Sequence, residues 1–179
     1  MSKCKRRSSS THPRQMETFY KLLFNALPLG ARIHHFSGEA ACPHCPRYRQ
    51  SMKHFAFTCP LAQAVWQEVR SLFRLTSAVS LQHAAFSWSP NAFVLGKRFG
   101  FKLQAGHAVA LHALWLCHCG ARYNDKHFVP AAARAMFRAM LLVHLETLWA
   151  STPRSGRARF LEDWSPPLSP SFSLPGSVV

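Results

Sequence analysis

The most informative part of the chain reads ACPHCPRYRQSMKHFAFTCP, residues 41–60. It contains a C-x2-C pair, Cys42 and Cys45; eight residues separate Cys45 from His54, and four separate His54 from Cys59. A C-x2-C turn lets two thiolates reach one ion at about 2.3 Å, and a histidine and a cysteine from the next element complete a tetrahedron. The spacing therefore predicts one structural zinc ion bound by Cys42, Cys45, His54 and Cys59.

Two alternatives to this ligand set stay open from the residues alone. His44 is a rival ligand, although it lies inside the C-x2-C turn, where its side chain tends to point away from the ion. In the other alternative the four residues are unconnected, and Cys45 and Cys59 are simply buried thiols. The segment is rich in turn formers and short of core residues, and a small loop of this kind needs a staple, which favours the metal.

The predicted ligand set also bears on catalysis. Four protein ligands leave no coordination position for water, so the ion is expected to organise the fold and not to activate a nucleophile. The seven acidic residues are scattered from Glu17 to Asp163 and supply no aspartate pair for a two-metal polymerase site. We therefore assign no catalytic residue and predict that the protein is not an enzyme.

A helix is predicted over residues 60–75, directly after the ligand segment. Pro60 suits a first helical turn, which tolerates its missing N–H donor. Apolar residues then follow at steps of four, four and three, which is the spacing of one helix face. These positions are Leu61, Val65, Val69 and Leu72. Trp66 broadens the same face and is expected to anchor the core.

The rest of the chain is also predicted to be mainly helical. Helical periodicity covers residues 16–26, residues 101–123 and a segment from Pro130 to just before Pro153, and residues 80–88 suit a short helix. Residues 37–53 show no clean period and are predicted to form a loop or a tight hairpin. The predicted fold is mainly α: a small zinc-stapled loop or hairpin followed by a helical bundle, with disordered termini.

The predicted helix at 101–123 carries three histidines and two cysteines. The segment Ala105–Cys117 is nearly all apolar but is shorter than the ~20 residues of a bilayer span, so it is predicted to be a buried helix. Cys117 and Cys119 diverge by about 200° on a helix, which favours core thiols over a second metal site. The three histidines His107, His112 and His118 are expected to cap, to bond locally or to face solvent.

The charge balance indicates an anionic partner. The formal net charge is +15 and the pI is about 10.5. Such a surface attracts polyanions, of which nucleic acid is the commonest and an anionic membrane face the second; we expect no membrane partner. The simpler alternative is that the charge only keeps the chain soluble. No secretory signal is recognised, so we expect the protein inside the cell, in the nucleus or the cytoplasm, with its cysteines reduced.

A set of basic and aromatic residues surrounds the predicted metal loop. Cations beside aromatic rings suit phosphate contact combined with base stacking on a single strand. The alternative is a solvated basic loop, with Phe55 in the core. The candidate nucleic-acid-binding residues are Arg32, Arg47, Tyr48, Arg49 and Lys53.

The same residues resemble a known family. LPLGARIHH at residues 27–35 is similar to its lead-in, and CPHC at 42–45 with HFAFTCPLAQAVW at 54–66 is similar to its C-x2-C…H-x4-C-P-x-A-x2-V-W core. The family is the zinc-binding domain of reverse transcriptases, found after the polymerase region in non-LTR retrotransposon proteins. The likeness covers residues 17–70, and the acidic residue common shortly before the ligand histidine is missing.

This resemblance implies a domain that binds RNA or DNA, with the polymerase region of a retroelement as a possible protein partner. The chain is then expected to be a detached C-terminal piece of such a protein or a host gene derived from one. The second hypothesis is a zinc-stapled structural or protein-interaction module with no nucleic-acid role. The predicted organisation is a disordered basic arm at 1–15, the zinc-binding domain at 16–75, a helical region at 76–164 and a disordered Ser/Pro tail at 165–179.

Overall fold

The computed structural model describes residues 12–24, 26–37, 40–73 and 96–164. This part of the chain is mainly helical, as predicted, and its β pairing is limited to one isolated antiparallel bridge between Ala41 and Arg49. The α-helices are α1 Pro13–Leu23, α2 Gly30–Ser37, α3 Pro60–Leu72, α4 Gly96–Tyr123, α5 Pro130–Ser151 and α6 Arg157–Trp164. A π-helical turn, His54–Thr58, precedes α3, and a 3-10 turn, Arg154–Gly156, precedes α6.

The main hydrophobic core lies between α3, α4 and α5, which contact one another in all three pairs. The apolar face of α3 is buried as its spacing predicts, and the helix ends at Leu72, three residues earlier than expected. Trp66 is a buried anchor, and its indole N–H donates to the carbonyl of Ala56. Fully buried contributions from the other two helices include Val109, Leu111, Phe137, Leu141 and Leu145.

The two long helices confirm the prediction with small shifts of their ends. α4 begins at Gly96 instead of residue 101, and α5 begins with Pro130 at its first turn and ends at Ser151, just before Pro153. Most of the Ala105–Cys117 segment is buried in the core, as predicted. Among the described helices none is both long and apolar enough to cross a membrane.

The first helix begins earlier than its periodicity predicts, and this corrects the predicted arm. α1 starts at Pro13, so residues 13–15 are helical and not part of a disordered arm, and Gln15 is buried. The His12 side chain accepts a hydrogen bond from the Arg14 N–H at 3.3 Å, and proline is favoured in a first helical turn. Composition alone did not reveal this cap, because the basic residues run on into the helix.

Two of the helices were not predicted from the sequence. α2 occupies part of the lead-in segment, and α6 follows the proline that ends α5. α6 docks through Phe160, which lies 5.5 Å from the Trp149 ring, and Trp164, which lies 6.5 Å from the Phe73 ring. A helix of eight residues carries too little periodicity to be recognised without these contacts.

The α4 histidines also depart from expectation. His107 and His118 are buried, so they neither face solvent nor cap a helix end, and His112 bonds to Thr18 of α1 at 2.7 Å, far along the chain. The thiols agree with the prediction: Cys117 is buried, with its sulfur 3.8 Å from that of Met136. Burial raises the pKa values of the Cys117 and Cys119 thiols, as expected of core cysteines.

One core serves both the predicted metal segment and the later helices. Phe55 is buried, with its ring edge-on to Trp115 at 6.3 Å and to His118 at 6.0 Å.

Four of the predictions fall on residues outside the described ranges. They are the arm up to residue 11, the short helix at 80–88, the division at residue 75 and the Ser/Pro tail at 165–179.

Candidate metal centre

A short hairpin carries the first two candidate ligands. The Ala41–Arg49 bridge closes it, and inside the bridge the Cys42 N–H donates to the carbonyl of Tyr48 at 2.9 Å. The Tyr48 N–H in turn donates to the carbonyl of Cys45 at 3.0 Å. These bonds fix the C-x2-C turn; where a loop or a tight hairpin was predicted over residues 37–53, the structure has a hairpin closed by this one bridge.

The other two candidate ligands flank the π-helical turn. The Cys59 N–H donates to the His54 carbonyl five residues earlier, at 2.8 Å, which is a wider turn than an α-helix makes. The His54 N–H donates to the Ser51 hydroxyl at 3.1 Å, and Cys59 has an extended backbone directly before α3. The start of α3 and the wide turn together hold the imidazole and the thiol beside the hairpin.

Cys42, Cys45, His54 and Cys59 come together as one cluster. Their ligand atoms all lie within 4.8 Å of one another. The Cys45 sulfur is 3.0 Å from Nε2 of His54 and 3.8 Å from the Cys59 sulfur. A tetrahedron with metal–sulfur bonds of about 2.3 Å has sulfur–sulfur edges of about 3.8 Å, so the spacing suits one ion. His44 is not a member of this group, which resolves the choice between the two histidines.

The pKa values of the three thiols indicate how a bound cation would change their protonation. Hydrogen bonding from Cys59 lowers the pKa of the Cys42 thiol despite its burial. The same hydrogen bond, together with burial, raises the pKa of Cys59, and burial followed by the neighbouring Cys42 raises that of Cys45. The cluster by itself therefore favours one thiolate, and a bound cation would stabilise the other two, since metal ligands must be deprotonated.

A second layer of contacts orients the His54 ring. Its Nδ1 lies 3.2 Å from the Thr58 hydroxyl, on the opposite side from the nitrogen that faces the thiols. When Nδ1–H donates to this hydroxyl, Nε2 carries no proton and is free to bind a metal. The Tyr48 ring stacks on His54 with centroids 5.4 Å apart and planes inclined by 15°, while 60% of Tyr48 remains exposed.

Gln50 connects the hairpin to two helices, and sequence reasoning missed this role. Its side-chain oxygen accepts from the Gly30 N–H at 2.9 Å, so its amide nitrogen donates to Nδ1 of His118 at 2.7 Å. Only 1% of Gln50 is exposed, and burial lowers the pKa of His118 to about 4, which keeps that ring neutral as an acceptor. No local pattern marks a bond that spans 68 residues.

The five candidate nucleic-acid-binding residues all remain on the surface. Arg47, Tyr48, Arg49 and Lys53 are exposed on or just after the hairpin, and Arg32 is exposed on α2. The Arg49 guanidinium donates to the Ala31 carbonyl at 3.4 Å, which brings α2 beside the hairpin. Phe55 lies in the core, as the alternative of a solvated basic loop predicts. Tyr48 is therefore the aromatic residue of this set that lies at the surface.

Comparison with known proteins gives no match to a protein-family model, to a curated protein or to a solved structure.

Proposed function

We propose that this chain is a structural zinc-binding, nucleic-acid-binding domain of the reverse transcriptase type, without a polymerase centre of its own. The observation that carries the proposal is a Cys3His cluster, with its ligand atoms within 4.8 Å of one another, beneath a hairpin with cationic and aromatic exposed side chains. The resemblance of residues 17–70 to the family points the same way. The proposal has three parts: the metal, its role and the ligand of the surface.

Zinc is the ion that this donor set favours. Three thiolates and one imidazole nitrogen in a tetrahedral arrangement are typical of structural zinc sites, whereas harder cations prefer oxygen ligands. Cys42, His54 and Cys59 are buried, and the four donors would complete a tetrahedral coordination. We infer that the ion staples the hairpin to the start of α3 and has no catalytic role.

The surface around the centre suits a single-stranded nucleic acid. Arg47 and Lys53 are exposed and make no ion pair within the described part of the chain, and segment 40–53 contains no acidic residue. Tyr48 lies with one face on His54, and its large exposed fraction favours stacking of a base on the other face. Phosphate contacts by the cations and a stacked base together define a sequence-tolerant site for RNA or DNA.

The test measures zinc content by elemental analysis and the binding of a fluorescent 20-mer RNA or DNA strand as a function of salt. For a single strand, each phosphate contact contributes about 0.7 to the slope of log affinity against log salt concentration. Three contacts therefore lower the affinity about 40-fold when salt is raised sixfold, from roughly 50 to 300 mM. The triple variant Arg47→Ala, Arg49→Ala, Lys53→Ala should lose most of this dependence. Equal binding at the two salt concentrations by the wild-type protein contradicts the proposal.

A second candidate function is a protein-interaction module, with zinc serving only the fold. The observation that favours it lies on α5, where Val143 is 60% exposed, and just before α5, where Val129 is 61% exposed. Isolated apolar residues of this kind are normal on surfaces, so this candidate ranks second. It would be preferred if the protein failed to bind nucleic acid and formed a stable complex with the polymerase region of a retroelement.

A further inference from the structure

The loop between α4 and α5, residues 124–129, lies beside the hairpin that carries Cys42 and Cys45. Phe128 is pressed against Gly120 near the end of α4: a Cβ built at Gly120 would lie 2.6 Å from Cε2 of the Phe128 ring. Glycine is therefore required for this close approach. The other side of the contact is the hairpin, because the Phe128 ring lies edge-on to His44 with centroids 6.3 Å apart.

Hydrogen bonds to the end of α4 also hold the backbone of this loop. The N–H groups of Asn124 and Lys126 both donate to the Gly120 carbonyl, at 3.1 and 3.0 Å. Asp125 between them has a φ of 49°, the left-handed conformation that ends many helices. Lys126 is thus presented by a defined turn and not by a free loop.

The exposed side chains of the loop continue the charge of the hairpin. Lys126 and His127 are exposed, and Lys126 makes no ion pair within the described residues. Asp125 is the one acidic residue in the loop, against Lys126 here and three cations on segment 40–53. The Phe128–His44 contact brings the two segments together, and both carry exposed cations.

We propose that the α4–α5 loop is the second half of the nucleic-acid site, with Lys126 binding a phosphate of the strand whose base stacks on Tyr48. This inference rests on the proposed function and adds a residue 73 positions beyond Lys53 in the chain. A strand that crosses from the hairpin to the loop is recognised through its backbone. Binding at Lys126 is therefore expected to be insensitive to base identity.

The experiment compares Lys126→Ala with a matched control, Arg159→Ala, which removes the same charge from an exposed position on α6. Binding of fluorescent 20-mer uridine and adenosine strands is titrated at several salt concentrations. Loss of one phosphate contact should lower the salt slope by about 0.7 and weaken binding about fivefold near 100 mM salt, equally for both strands. Arg159→Ala should bind as the wild type does, and Lys126→Arg should restore the affinity.

The outcomes separate this inference from the function on which it rests. If the wild type binds, Arg47→Ala weakens binding and Lys126→Ala matches the Arg159→Ala control, the loop is not part of the site and this inference is overturned alone. If the wild type binds neither strand, both the inference and the proposed function are overturned. Circular dichroism of each variant checks that the substituted surface residues leave the helical content unchanged.

Discussion

Replacing Gln50 by methionine should destabilise the protein without removing its metal. Methionine keeps the length of the side chain but makes neither of the two hydrogen bonds that glutamine makes. The Gly30 N–H and His118 Nδ1 would then be buried without a partner, and each such group costs about 1–3 kcal/mol. The expected loss is therefore about 2–6 kcal/mol, a large part of the 5–15 kcal/mol typical of a domain.

Urea denaturation of the zinc-loaded protein measures this loss, and elemental analysis of the same sample measures the metal. Gln63→Met is the matched control, because Gln63 is exposed on α3 and its replacement should change the free energy of unfolding by less than about 0.5 kcal/mol. A double-mutant cycle with His118→Phe should give a coupling energy of about 0.5–3 kcal/mol, since the two side chains share one hydrogen bond.

Two results would refute this reasoning. A Gln50→Met protein as stable as Gln63→Met would mean that Gln50 does not bridge the hairpin and the helices. A coupling energy near zero with His118→Phe would mean that the loss arises elsewhere. Loss of zinc together with stability would instead place Gln50 among the groups that hold the ligands.

Three further predictions test the centre, the core and the loop. Cys59→Ser should reduce the zinc content from one ion per chain to near zero and unfold the hairpin. The control Cys119→Ser should keep its zinc and a folded hairpin. A folded, zinc-loaded Cys59→Ser protein contradicts the site. His107→Phe should remove a pH dependence: burial lowers the pKa of His107 to about 4, so between pH 6.5 and 4 the unfolded state binds the extra proton and stability falls as the pH falls. The wild type should lose about 2 kcal/mol more than His107→Phe between pH 7.5 and 5.0 in urea denaturation, and equal losses would show that the ring is accessible to protons. Gly120→Ala should displace Phe128 and cost about 1–3 kcal/mol in thermal unfolding, and an unchanged melting temperature would show that the contact yields freely.

The sequence was most informative where the determinants are local. Cys42, Cys45, His54 and Cys59 lie within 18 residues, and their spacing alone predicted that they come together. The helix after Cys59 could be predicted for the same reason, because one apolar face and one proline define it.

The missed features depend on contacts between distant parts of the chain. Gln50 and His118 are 68 residues apart, and nothing near either residue indicates the other. His107 is buried against the Trp66 ring, 5.1 Å away; its apolar neighbours predicted a buried helix, but nothing near His107 in the sequence indicates Trp66 as the residue it packs on. The Phe128–His44 contact that brings the α4–α5 loop to the hairpin belongs to the same class.

The position of Phe55, directly after His54, has a consequence for local opening. An excursion that frees the His54 backbone from its turn must also withdraw the Phe55 ring from its edge-on contacts with Trp115 and His118 on α4. The hairpin and the middle of α4 should therefore exchange their amide hydrogens as one cooperative unit, with similar opening free energies. Chelation of the proposed zinc ion would then accelerate exchange in a helix that contributes no ligand.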